Sequence, residues 1–180
     1  MFEPLTSGRI VLAKYKLRDS LPIYQAIKNS LLEISPWATW LSPNYSLKSA
    51  EDFVALQMKN WTDNIEFSFT IKDIDNSFLG VISLHIFDPA NNVANIGYWI
   101  NSQYIRKGYC TEAVQLLVVN AFKQLNLIRI ELIAGVNNIA SQRVAEKAGA
   151  QFEGILKNRI RPNGMASDAR LYAFINEVYA

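Results

Sequence analysis

The chain has 180 residues, of which 50% are hydrophobic and 19% charged, and a formal net charge of only +2. That composition is globular rather than disordered, and it lacks the strong basic stripe of an obligate nucleic-acid binder, so no direct nucleic-acid contact is expected. A single cysteine, Cys110, and a single histidine, His85, exclude an intramolecular disulfide and a Cys/His metal cluster.

Arg9–Tyr15 reads as a first strand. Asp19 and Ser20 can cap a helix that tolerates Pro22 in its first turn and repeats Ile23, Ala26, Ile27, Leu31 and Ile34 at helical spacing. The segment from Ser35 to Pro43 is an aromatic loop holding Trp37 and Trp40, bounded by prolines. A second helix is expected from Ser49, with Asp52 completing a weak capping box, to Trp61. Strands follow at Glu66–Lys72, Phe78–Phe87 and Val93–Ile100, the last two separated by the turn chemistry of residues 88–92. Ala113, Leu117, Ala121 and Phe122 make one face of a helix over Thr111–Leu125. Arg129–Val136 is a buried strand, and a short helix over 138–148 is capped by Asn138 and ended by Gly149. Strands at 151–157 and 168–176 flank a Pro162-Asn163-Gly164 turn. The order β-α-α-β-β-β-α-β-α-β-β, with a meander before two strand–helix units, predicts an α+β (α/β) fold with a mixed sheet, in one domain over 1–180. The amino-terminal stretch lacks the basic start and apolar core of a signal peptide, and no apolar run approaches the ~20 residues of a membrane span. With one cysteine, a reducing cytoplasm is the expected compartment and no membrane partner is expected.

Arg106-Lys107-Gly108-Tyr109-Cys110-Thr111-Glu112 joins a strand to a long helix. Free N–H groups and the helix dipole favour an anion there, Gly108 allows close approach, Arg106 and Lys107 add charge, and Thr111 offers a hydroxyl. One glycine between basic residues is also an ordinary tight turn, and neither a Walker loop nor a dinucleotide fingerprint is present.

Three stretches together resemble the GNAT superfamily of N-acetyltransferases, in its RimJ/RimL-type branch that acetylates amino termini of ribosomal proteins. They are Ile96–Ile100, Lys107–Ala113, and Asn138-x-x-Ser141-x-x-Val144 with Lys147 and Gly149; Leu171-Tyr172-Ala173 also looks like that branch. The resemblance implies a mostly antiparallel central sheet flanked by helices and acetyl-CoA as cosubstrate. It implies that the acetyl-pantetheine arm pairs with backbone at Trp99, Ile100 and Asn101, and that the loop of Arg106, Lys107, Gly108, Tyr109, Cys110 and Thr111 holds the pyrophosphate. Asn138, Ser141 and Lys147 complete the cofactor set, with Ser141 facing the thioester sulfur. Ile105 stands where the family usually has Gln or Arg, and Cys110 where Gly or Ala is usual. The carboxylate that some members carry near residues 158–161 is missing.

The reaction so implied is direct attack by a neutral amine, a protein amino terminus or a small amine, on the thioester. A free α-amino group has a pKa of about 7.7–8.0, so a strong base is not essential. A backbone N–H near Ile100 would hold the oxyanion, and Ser141 would protonate the leaving thiolate. His85, in an apolar strand, is a candidate base by its ordinary pKa and equally a packed residue. Trp37 and Trp40 are read as a wall of the acceptor pocket, and Arg159 and Arg161 as acceptor contacts suited to an acidic partner. Tyr98 and Trp99 side chains are read as sheet packing, Glu112 as a complement to the helix dipole, and Cys110 as a small loop residue. A homodimer is one expected assembly, since dimers occur in the branch. The alternatives are acetylation of a polyamine, antibiotic or metabolite, and a non-catalytic acetyl-CoA-binding module.

Overall fold

The computed structural model describes residues 4–179. In chain order these form β1 (Leu5–Thr6), β2 (Ile10–Lys14), α1 (Ser20–Asn29), α2 (Leu31–Ile34), α3 (Leu47–Thr62), β3 (Phe67–Asp73), β4 (Phe78–Asp88), β5 (Val93–Ile100), α4 (Tyr109–Leu125), β6 (Arg129–Gly135), α5 (Ile139–Ala148), β7 (Gln151–Ile160) and β8 (Ser167–Ile175). The strands make one eight-stranded sheet in the order β1-β2-β3-β4-β5-β6-β8-β7. Every pairing is antiparallel except β5 with β6, which is parallel.

Alternation along the strands divides the core in two. Ile10, Leu12, Phe69, Ile71, Ile82, Leu84 and Ile96 gather with Val114, Leu117 and Ala121 of α4 and Ala145 of α5. One residue out of phase, Val81 and Trp99 join Ile23 and Ile27 of α1 and Ala50 and Val54 of α3. A fully buried Ile, Leu or Val contributes about 1.5–3 kcal/mol, and this two-sided burial fixes the register of each strand. The site therefore rests on a sheet clamped from both faces.

Three departures from the sequence expectation have identifiable physical causes. The first long helix is broken at Ser30, which is fully buried with φ −118° and ψ 14°. Its hydroxyl accepts a hydrogen bond from the Ser102 N–H at 2.9 Å, a tertiary contact that holds the buried break. The next helix starts at Leu47 rather than Ser49. Ser46 is its N-cap, and Ser49 is the third residue of a reciprocal Ser46–Ser49 box. The two-residue β1 carries too short an alternation to be read from sequence; it pairs Leu5 with Leu12.

Candidate functional site

The parallel pair β5–β6 is short. It covers only Val93 with Arg129, Ala94 with Ile130 and Asn95 with Glu131, while β5 stays paired to β4 as far as Ile100 and β6 to β8 as far as Gly135. Beyond Asn95 the two strands part and leave a gap. The Asn101 N–H donates to the Leu79 carbonyl at 2.8 Å. Strand alternation then turns the backbone of Trp99 and Asn101 toward β4 and that of Tyr98 and Ile100 into the gap. An extended ligand arm bearing amides can pair with that open edge as an added strand would.

The chain leaving β5 is held tightly. The Asn101 side chain accepts from the Gln103 N–H at 3.2 Å and caps the turn over Ser102–Tyr104. Arg106 and Gly108 then adopt left-handed backbone, with φ of 61° and 83°. For a non-glycine residue this costs about 1–2 kcal/mol, which the surrounding contacts must offset. Gly108 is the N-cap of α4 and offers no side chain to cover the helix end. The first helical bond at this end runs from the Glu112 N–H to the Gly108 carbonyl. Among the described residues, no backbone N–H from Arg106 to Thr111 is committed to a protein acceptor. Six uncommitted N–H groups and the positive end of a 17-residue helix thus lie in one short segment with Arg106 and Lys107, an arrangement that fits a pyrophosphate.

Across the gap, Asn138 caps α5 by accepting from the Ser141 N–H at 3.1 Å. Buried Gln142 donates to the carbonyls of Gly135 at 2.8 Å and Val136 at 3.0 Å, which fixes the turn from β6 into α5. The Ser141 hydroxyl lies 3.1 Å from the Tyr98 hydroxyl, which also donates to the Ser141 carbonyl at 3.2 Å. Burial pushes the Tyr98 phenol far above its ordinary pKa, so it remains a proton-bearing donor.

A cleft of about 480 Å³ opens at the end of β6, lined among others by Trp37, Gly135, Asn138, Arg159, Ile160 and Arg161. The Trp37 ring lies against Gly135, where a Cβ would fall 2.6 Å from its Cζ3 atom and 2.9 Å from Ile160 Cδ1; only glycine leaves that room. Arg159 sits on a bulge, where the β7–β8 register slips between Leu156 and Ile160 and Asn158 takes φ 51°. Asp168 pins the bulge by accepting from Lys157 Nζ at 2.8 Å and the Asn158 N–H at 3.0 Å. The Lys157 ammonium and that N–H hold its carboxyl below the usual range, so this neighbouring carboxylate is a strut and not a free base. Among the described residues neither Arg159 nor Arg161 has an acidic partner, and the cleft presents net positive charge.

Residues 9–151 match the family model of the acetyltransferase (GNAT) domain. The chain belongs to the GNAT acetyltransferase family. A Bacillus subtilis relative, YdaF, named provisionally as a ribosomal N-acetyltransferase, is 39% identical over 101 residues, 56% of this chain and 55% of its own length. The ribosomal-protein-serine acetyltransferase of Escherichia coli is 33% identical over 101 residues, 56% of each chain. The aligned stretch thus spans little more than half of either relative. The microcin C7 self-immunity acetyltransferase MccE, solved with acetyl-CoA and AMP, superposes with a TM-score of 0.89 at 24% identity over 94% of each chain, a likeness of fold. The mixed, mostly antiparallel sheet flanked by helices is the GNAT fold.

The remaining sequence candidates of this GNAT chain fall in different places. His85 lies on the α1/α3 side of β4, 3.3 Å from the Ser83 hydroxyl, with its ring over Gly97; a Cβ at Gly97 would meet its Cε1 atom at 2.8 Å. Burial lowers its pKa, opposed by the charge of Glu66, so the imidazole is neutral at pH 7. Trp40 does not line the cleft. It stacks on Phe53 at 6.1 Å, because the loop folds back onto α3. Trp99 packs its side chain beside Phe78, with ring centroids 6.0 Å apart, and Asn101 spends its side chain on the turn. Lys147 is exposed near the end of α5, its carbonyl 3.4 Å from the Gln115 amide of α4. The Cys110 thiol is pushed up by burial, which keeps it protonated and argues against a nucleophile. Lys107 Nζ lies 5.1 Å above the Tyr104 ring, and Tyr109 packs beside the same ring. Among the described residues no His/Cys/Asp/Glu group could hold a metal, and no helix is long and apolar enough to cross a membrane. Sequence reading missed the Tyr98 hydroxyl as a partner of Ser141; the available signal was its parity with Ile100 on the open edge of β5.

Proposed function

We propose that this GNAT chain moves an acetyl group from acetyl-CoA to the α-amino group of a protein, with ribosomal proteins as the target class, by direct attack in a ternary complex. The observation that carries the reading is the parting of β5 from β6 immediately before a loop of uncommitted N–H groups. Bound acetyl-CoA supplies an activated thioester. Backbone of Tyr98 and Ile100 receives its pantetheine arm, with the Asn138 amide opposite. The N–H groups of residues 106–111, with Arg106, Lys107 and the Thr111 hydroxyl, hold the pyrophosphate, and Lys147 lies farther along α5 as a further cofactor contact.

The chain's own groups then divide the work. The gap-facing N–H groups of Tyr98 and Ile100 stabilise negative charge on the acetyl oxygen as the amine nitrogen bonds to the acetyl carbon. Ser141 gives its hydroxyl proton to the sulfur as the carbon–sulfur bond breaks and takes one back from solvent, while Tyr98 keeps its own proton and orients the Ser141 hydroxyl. The incoming amine loses its proton to His85 or to water. His85 carries an expectation of sign. Being neutral above its lowered pKa, it is competent at pH 7 and is lost as a base on the acid side of 6.5. The logarithm of kcat/KM should therefore fall with one proton's slope below the amine pKa and steepen again at more acid pH, under the ordinary imidazole value, a second limb absent from His85→Asn. Superimposable profiles would remove His85 from the reaction.

The ribosomal names of YdaF and the Escherichia coli relative support a protein acceptor. The unpaired Arg159 and Arg161 favour one with acidic residues near its amino terminus. Reversing both charges should lower kcat/KM for such a peptide roughly tenfold or more and spare a basic peptide; equal loss on both would count against acceptor contact. The function itself is tested by CoA release with two acceptor sets, peptides with free Ser, Ala or Met amino termini and a panel of small amines. Acetylated α-amine is the expected product. Release with small amines alone would contradict the protein reading, and silence on both sets would contradict catalysis.

A further inference from the structure

The loop assigned above to the pyrophosphate combines left-handed backbone with an adjacent negative charge. Arg106 and Gly108 are left-handed, and Glu112, four residues after the N-cap, brings a negative charge into the first turn of α4. A carboxylate there suits the helix dipole but repels a bound pyrophosphate.

Both problems meet one side chain. Arg9, at the head of β2, donates from Nε to Glu112 Oε2 at 2.8 Å and from its second arm to the same carboxylate. Its remaining arm donates to the Lys107 carbonyl at 3.3 Å, and its guanidinium lies 5.2 Å from the Tyr109 ring centroid. Ser7 donates to the other Glu112 oxygen. The Lys107 carbonyl and the Gly108 N–H belong to one planar trans peptide and point in opposite directions. Drawing the carbonyl toward Arg9 turns the Gly108 N–H away from Arg9.

We infer that Arg9 and Glu112 form a clamp that sets the pyrophosphate loop: Arg9 neutralises Glu112 and fixes the 107–108 peptide so that its N–H faces the anion. Arg9 is thus a positioning residue for donor binding, supplied by the bend just before β2, about 100 residues from the loop it shapes. Lysine at this position would keep the charge but lose the fork that reaches two acceptors at once. The inference rests on the proposed role of residues 106–111.

The test compares dissociation constants for acetyl-CoA and for S-acetylpantetheine, which lacks the pyrophosphate and nucleotide. Wild type is expected to bind acetyl-CoA far more tightly. Arg9→Ala should weaken acetyl-CoA about tenfold, the scale of one charge-assisted contact, and leave S-acetylpantetheine unchanged. Arg9→Lys should fall between, and Arg9→Ala with Glu112→Gln should regain part of the loss. Equal weakening of both ligands, or none, would overturn the clamp, and a double variant no better than Arg9→Ala would overturn charge neutralisation. A wild type that does not distinguish the two ligands would overturn the loop assignment itself, and the clamp with it.

Discussion

Ser141→Ala is expected to lower kcat about 100-fold while changing acetyl-CoA affinity little, since a positioned proton donor contributes typically 10²–10⁴. The helix should survive the change. Its cap is the Asn138 side chain bonded to the Ser141 N–H, and alanine keeps that N–H. What disappears is the hydroxyl 3.1 Å from Tyr98. Tyr98→Phe should give a smaller loss, because Ser141 keeps its own proton but loses the group that orients it. Stopped-flow or single-turnover measurement with saturating acetyl-CoA separates this from slow product release. A Ser141→Ala enzyme with unchanged single-turnover rate would take the hydroxyl out of the reaction.

Gly108→Val should act on the other term, acetyl-CoA affinity. At φ 83° a β-branched residue is strained by about 1–2 kcal/mol, and relaxing that strain turns the 107–109 peptides away from the anion. Protein atoms do not forbid a side chain there, since the nearest atom to an added Cβ is Arg9 Nη2 at 3.5 Å. The expected result is therefore a folded protein with acetyl-CoA binding weakened roughly tenfold or more by calorimetry. Wild-type affinity in the valine variant would mean that the loop's left-handed turn is not part of cofactor binding.

The parts of this site legible in the sequence are those in which partner and residue are close in the chain. The 106–112 loop and the Asn138–Ser141 cap are local: a glycine before a helix and an Asn three residues before a Ser state their own geometry. Tyr98 with Ser141 and Arg9 with Glu112 are 43 and 103 residues apart, and nothing in the spacing of either pair predicts contact. The Ser30 break has the same origin, because its cause is an N–H at Ser102. Trp40 shows the converse error. An aromatic loop suggests a binding wall, but Phe53 on α3 offers an apolar face that captures one of its two tryptophans, while the space over Gly135 takes the other. The β3–β4–β5 meander was legible further than helix boundaries, since the turn at residues 88–92 and the alternation of its strands leave few arrangements, whereas caps depend on single side chains.

Hydrogen exchange with and without acetyl-CoA tests the central claim most directly, because the claim concerns identifiable N–H groups that have no protein acceptor. Acetyl-CoA should slow exchange at residues 106–111 and at Tyr98 and Ile100, with Trp99 and Asn101, already turned to β4, changing little. Protection confined to another surface, or none at a concentration that saturates binding, would contradict the assignment of the β5–β6 gap and its loop as the acetyl-CoA site.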